Sequence, residues 1–147
     1  MAFPYITLTN TVITTTAAFS ANQVIGTGVQ SFTPVPNGGF IQGVSINTNS
    51  SNANQIDFLS FASSMPNTTF TDHSSIAISS ADFASQGPVV NVTTWNYSGT
   101  AASNGTANGL GYAFYSGNQI MYWALVARGA ITVNSTNGIS VTLTIAS

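Results

Sequence analysis

Lysine, glutamate and cysteine are missing altogether from this 147-residue chain, and only Asp57, Asp72, Asp82 and Arg128 carry charge at neutral pH. A soluble domain ordinarily gives about 25% of its residues to charge; here the share is 3%. A single cation cannot neutralise the several phosphates that nucleic-acid binding needs, because affinity scales with the number of such contacts. Attraction to an anionic membrane surface is excluded on the same ground. Without cysteine there is no disulfide framework and no thiolate nucleophile. Long apolar runs are lacking too: the most apolar stretch, Ile120 to Ala127, falls far short of the ~20 residues that span a bilayer. The N-terminal MAFPYITLTNTVITTT has no positive n-region, apolar core and small-residue cleavage site in order. The expectation is a chain used without signal-peptide export or membrane insertion.

What is present is Ser, Thr, Asn and Gly in place of a charged surface. Such a surface hydrogen-bonds densely to neighbours without burying ions, and it suits a protein packed against copies of itself or a large scaffold. The length suits one domain, able to bury roughly two-thirds of its unfolded surface. No metal or other cofactor is needed to hold it.

Almost every segment reads as strand or turn. In Ile139-Ser-Val-Thr-Leu-Thr-Ile145 four aliphatics alternate with hydroxyls, which predicts a half-buried strand. Gln119 to Val133 reads as a longer strand with both faces apolar, either central or covered by a neighbouring subunit. Asn134 to Gly138 reads as the turn that joins these two into a closing hairpin. Earlier strands are expected at Tyr5–Thr9, Val12–Thr16, Val24–Phe32, Phe40–Asn47, Ile56–Ala62, Ile76–Ser79, Val89–Trp95 and Leu110–Tyr115. Asn47 to Asn54 and Ser98 to Gly109 read as loops, and Ser80 to Ser85 as a short helical turn. The fold class is therefore all-β, an antiparallel β-sandwich or jelly roll of about 8–10 short strands. Residues 1–16 are expected as an extended N-terminal arm and residues 17–147 as the sandwich.

Reactive chemistry finds little to work with. Asp72-His73-Ser74 spells a triad in letters, but adjacent residues of an extended chain point in opposite directions. No Gly-x-Ser-x-Gly elbow supports a triad built from distant residues. Paired-carboxylate catalysis would have to draw on three aspartates with no supporting spacing. Asp72 and Asp82 are close enough in sequence for a calcium site, yet no Asp-x-Asp-x-Asp-Gly pattern accompanies them. The expectation is a protein that is not an enzyme. Arg128 reads either as the cross-strand partner of an aspartate or as an inter-subunit hydrogen-bond fork. Trp95, Tyr97, Tyr112, Tyr115, Tyr122 and Trp123 read as core or interface anchors, or as a platform for sugar rings. Sequons at Asn49, Asn67, Asn91, Asn96, Asn104 and Asn134 carry little weight where Ser and Thr are so abundant.

The C-terminal stretch IMYWALVARGAITVNSTNGISVTLTI, Ile120 to Ile145, resembles the closing hairpin of small all-β virion proteins of tailed bacteriophages, including capsid decoration (cement) proteins. Gly38-Gly39-Phe40-Ile41, Asp57-Phe58 and Asp82-Phe83 are similar in layout. The resemblance implies a sandwich or jelly roll on the outer face of the head, often a homotrimer, bridging subunits of the major capsid protein. It implies a virion protein synthesised in the host cytoplasm, without catalytic residues. The candidate assembly contacts are Phe3, Tyr5, Ile6, Leu8, Val12 and Ile13 of the arm, with Trp123 and Arg128. On that reading deletion of residues 1–16 abolishes assembly and spares folding. Two further readings stand beside it: a subunit of an extracellular filament or surface layer joined by strand exchange, and a carbohydrate-binding sandwich using Trp95 or Trp123.

Overall fold

Alternation dictates the last strand: Ile139, Val141, Leu143 and Ile145 are buried, while Ser140, Thr142 and Thr144 stay accessible. The computed structural model describes residues 4–99 and 101–147. In chain order its strands are β1 Tyr5–Val12, β2 Val24–Phe32, β3 Gly38–Thr48, β4 Ile56–Phe61, β5 Gln86–Val92, β6 Thr94–Gly99, β7 Ala102–Tyr115, β8 Met121–Ala127 and β9 Ile139–Ala146. A single 3-10 turn at Phe83–Ser85 is the expected helical turn, preceded by Asp82. The strands form two antiparallel sheets, β1-β9-β3-β7-β6 and β2-β8-β4-β5.

Four pairings nest one within the next: β1 with β9, β2 with β8, β3 with β7 and β4 with β5. The nested ribbon folds over so that β9 also pairs β3 and β8 also pairs β4. This wrapped arrangement is a jelly roll, which resolves the alternative left open by periodicity. Strand β6 is an addition hung on β7.

The main core lies between the sheets. Trp123 stacks between Phe32 and Phe58, with ring centroids 5.0 and 5.5 Å away. Such pairs add about 0.5–1.5 kcal/mol each beyond area burial. A second, smaller core covers the outer face of the four-stranded sheet, where Met65 and Phe70 pack on Val24, Leu59, Phe61, Ala124 and Val126. Both apolar faces of β8 are therefore covered by this chain itself, and no neighbour is needed to explain them.

Several expectations are corrected. Strands β8 and β9 are not a hairpin: they lie in opposite sheets, and residues 128–138 cross between them. Ser98 to Gly109 is no loop, since β7 begins at Ala102 and pairs with both β3 and β6. Its small residues serve close packing. A Cβ on Gly105 would lie 2.8 Å from the indole of Trp95 and 2.7 Å from Val92. Val89–Trp95 divides at Thr93 because β5 and β6 belong to different sheets. Ile76–Ser79 forms no strand; Ile76 and Ile78 cap the smaller core. The described part of the supposed arm is integral as well: Tyr5 to Val12 pair residue for residue with β9, and Val12 is fully buried. Residues 13–16 are not strand but part of the connection to β2.

Candidate functional site

The solvent side of the five-stranded sheet is an ordered lattice of hydroxyls and amides. Register places Thr11, Ser140, Asn47, Asn104 and Asn96 in one row across all five strands. The next row is Thr9, Thr142, Ser45, Thr106 and Thr94, and a third runs Thr7, Thr144, Gly43 and Asn108. Neighbours in the lattice hold one another: Thr9 Oγ1 lies 2.9 Å from Thr142 Oγ1, and Asn104 Nδ2 donates to Ser45 Oγ at 2.8 Å and Asn47 Oδ1 at 2.7 Å. None of these positions carries charge. An apolar cleft of about 360 Å³ opens between β5 and β7, lined by Phe61, Pro88, Phe114 and Met121. Val89, Tyr112 and Tyr115 are exposed in the adjoining stretches of β5 and β7.

The charged groups are spent inside the fold. Asp57 on β4 accepts from Arg128 Nε at 2.6 Å, Gln55 Nε2 at 2.6 Å and Asn91 Nδ2 at 2.8 Å. Burial opposes its ionisation, but the hydrogen bonds from Asn91, Gln55 and Arg128, with the guanidinium charge, outweigh burial and hold its carboxyl below the usual range. Arg128 Nη1 also donates to Asn22 Oδ1 at 2.6 Å. Its pairing with an aspartate, the first of the two expected readings, is thus within the chain through Nε.

Asp72 ties the β1–β2 connection to the second sheet. It accepts from Thr14 Oγ1 at 2.6 Å, Thr15 N at 3.0 Å and Gly26 N at 2.7 Å. Burial again opposes the charge, and the bonds from Thr14, Thr15 and Gly26 with His73 nearby prevail, lowering its pKa. His73, with φ at +65°, stacks on Phe19 at 3.7 Å. Its Nδ1 lies 3.0 Å from Asp72 Oδ2 and its Nε2 2.8 Å from Ala17 O. Asp82 accepts from Asn67 N at 2.9 Å, Asn67 Nδ2 at 3.0 Å and Thr68 Oγ1 at 2.7 Å. Its pKa too is lowered, the bonds from Thr68 and Asn67 outweighing burial. Asp72 and Asp82 thus occupy separate clasps. Among the described residues no three His, Asp, Glu or Cys side chains come together as a metal site. Asp72 and His73 thus do meet, against the expectation that adjacent residues point apart, because the positive φ of His73 takes the chain out of the extended form. The imidazole also reaches Ala17 O and Thr15 and belongs to a clasp.

The candidate assembly contacts scatter. Phe3 lies outside the described residues. Tyr5 and Ile13 are 66% and 71% exposed, whereas Ile6 and Leu8 are half-buried on the core side. Val12 and Trp123 are wholly in the core and cannot touch a partner in this fold, nor can Trp123 stack on a sugar. Trp95 is partly buried against the same core. What sequence reasoning missed is the lattice. Its Thr-x-Thr-x-Thr run at residues 7–11 and the alternation of β9 were visible, and Leu110–Tyr115 was expected as strand, but residues 102–109, read as a loop, are the part of β7 that joins β3 to β6. A scan of protein-family models finds no match, and no curated protein matches the chain.

Proposed function

We propose that the chain is a structural virion protein, a capsid decoration protein on the outer surface of a tailed-phage head, where it bridges and stabilises capsomers. The observation that carries this reading is the uncharged lattice across all five strands, in a molecule whose three aspartates and one arginine are engaged in internal clasps. A face of hydroxyls and amides docks on a protein shell by hydrogen bonding, with no charge to desolvate. Its partner is the major capsid protein, and its role is mechanical and not enzymatic. By mass action, a protein that binds only the expanded shell stabilises it with the logarithm of concentration over Kd. Repetition over the shell adds avidity to modest single contacts.

The test is addition of purified protein to expanded heads that lack it, followed by sedimentation. Saturable co-sedimentation, lost when Thr142→Glu places a carboxylate at the centre of the lattice, is the expected result. Failure of the wild-type protein to bind expanded heads refutes the proposal. The arm-deletion expectation is revised: removing residues 1–16 takes away β1 and the core residue Val12, so folding suffers along with assembly.

A further inference from the structure

A sheet edge exposes unpaired N–H and C=O groups, and proteins that remain monomeric obstruct such edges. Three of the four edges here are obstructed. Along β2, which carries Gly26 (φ +90°) and Gly28 (φ +81°), residues 70–74 form a covering strip. Val24 N donates to Ser74 O, His73 N to Val24 O and Gly28 N to Phe70 O, all at 2.8–2.9 Å. Strand β5 opens with Gln86-Gly87-Pro88, shifts register opposite Leu59 and Phe61, and runs beside β7. Strand β6 has six residues and shifts register between Tyr97 and Gly99.

Strand β1 has none of these devices. Its eight residues, YITLTNTV, include no glycine, proline or charge. They pair with β9 without a register shift. Among the described residues, the far side of β1 takes no backbone hydrogen bond from this chain. Ile6 and Leu8 oppose the buried Ile145 and Leu143, yet remain half-exposed because no strand lies beyond them.

We infer that β1 pairs antiparallel with β1 of a second copy about a twofold axis, making one continuous sheet with five strands from each copy. Side-chain alternation requires opposed residues to share a face, which puts the axis through a residue and not between two, and the longest overlap of the eight-residue strand then selects Leu8 or Thr9. Either register sets Thr7, Thr9 and Thr11 of both copies on the same outer face and extends the hydroxyl lattice across the junction. It also closes Ile6 and Leu8 from water. A second copy is the occupant because the edge is self-complementary under a twofold, the symmetry that closes with a single contact. Pairing consumes the longest edge without such a device among the described residues, and a twofold contact closes on itself, so growth stops at two copies. This separates the arrangement from the filament, and from the trimer that the phage resemblance implies.

The inference does not rest on the capsid reading, since it is tested without heads. Native mass spectrometry and sedimentation of the full chain should give twice the 15.2 kDa monomer mass. Thr9→Lys, which places an ammonium group at the junction, should weaken dimerisation at least tenfold while the circular dichroism spectrum stays native; Thr7→Lys is a second variant with the same expectation. Because the chain lacks cysteine, Leu8→Cys and Thr9→Cys each carry a single thiol. Opposed residues in antiparallel pairs have Cα atoms about 4.5–5.5 Å apart, within disulfide reach, so one of the two variants should cross-link on oxidation and Tyr112→Cys should not. A monomeric or trimeric wild-type protein overturns the inference. So does a dimer that survives both lysine variants and cross-links at neither Leu8→Cys nor Thr9→Cys.

Discussion

Replacing Asp57 by alanine removes the group on which three side-chain donors converge. Arg128, Gln55 and Asn91 all point at its carboxylate, which is 4% exposed, while the Arg128 side chain is 32% exposed. Taking away one member of a buried ion pair typically costs about 3–5 kcal/mol, because the survivor is left uncompensated. Arg128 keeps some access to water and its bond to Asn22, so the lower end, about 3 kcal/mol, is expected. At this chain length 1 kcal/mol moves the melting midpoint by about 2–4 °C, giving a fall of roughly 6–12 °C. Arg128→Met should cost a similar amount by stranding Asp57. The double variant Asp57→Leu with Arg128→Met should lie within about 1–2 kcal/mol of the wild type, since no charge remains buried. Thermal melts of the wild type, Asp57→Leu, Arg128→Met and the double variant form a double-mutant cycle. A midpoint shift below about 2 °C for Asp57→Ala, or simple addition of the two single losses, refutes the reasoning.

Acid should destabilise the fold through all three aspartates. Each has its carboxyl pKa lowered from 3.8 in the folded state, so their contribution is complete above the usual carboxylate range and is lost as pH falls from there through the lowered folded-state values. Melting midpoints should be level from neutral pH to about pH 5 and drop below that; a midpoint that rises on acidification contradicts the assignment. Gly105→Ala should force the Trp95 ring off β7 at a cost of about 1–3 kcal/mol, read as a fluorescence change in a chain with two tryptophans; an unchanged midpoint and spectrum count against the packing. Deletion of residues 1–16 should lower the melting midpoint, and a truncated protein as stable as the full chain would show that β1 is dispensable to the fold.

How much was legible depended on whether a segment's neighbours were of its own chemistry. The alternation of Ile139 to Ile145 survived intact because every second residue meets the core. The doubly apolar Met121 to Ala127 was readable as a central strand, but periodicity cannot tell that its second face is covered by Met65 and Phe70 from a distant excursion. Asn134 to Gly138 resembles a hairpin turn in composition, yet the same residues serve a crossing between sheets. Gly138 sits against Asn49, whose side-chain amide donates to Ser135 Oγ. Leu110–Tyr115 was legible as strand, but the first part of β7 was hidden because Gly105 and Ala107 are small for the sake of close packing, and smallness reads as flexibility. An aspartate partner for Arg128 was foreseen as one reading, and the fold identifies it as Asp57. The clasps of Asp72 and Asp82 were out of reach, since their donors are 14 to 58 residues away.

On the proposed function, the hydroxyl and amide lattice is the surface that meets a shell. A cryo-electron reconstruction of heads saturated with the protein tests it most directly. The expected result is density for this jelly roll on the outer surface, with Thr142, Ser45 and Thr106 turned to the major capsid protein. Heads without added density, or a bound jelly roll with that face turned to solvent, would contradict it.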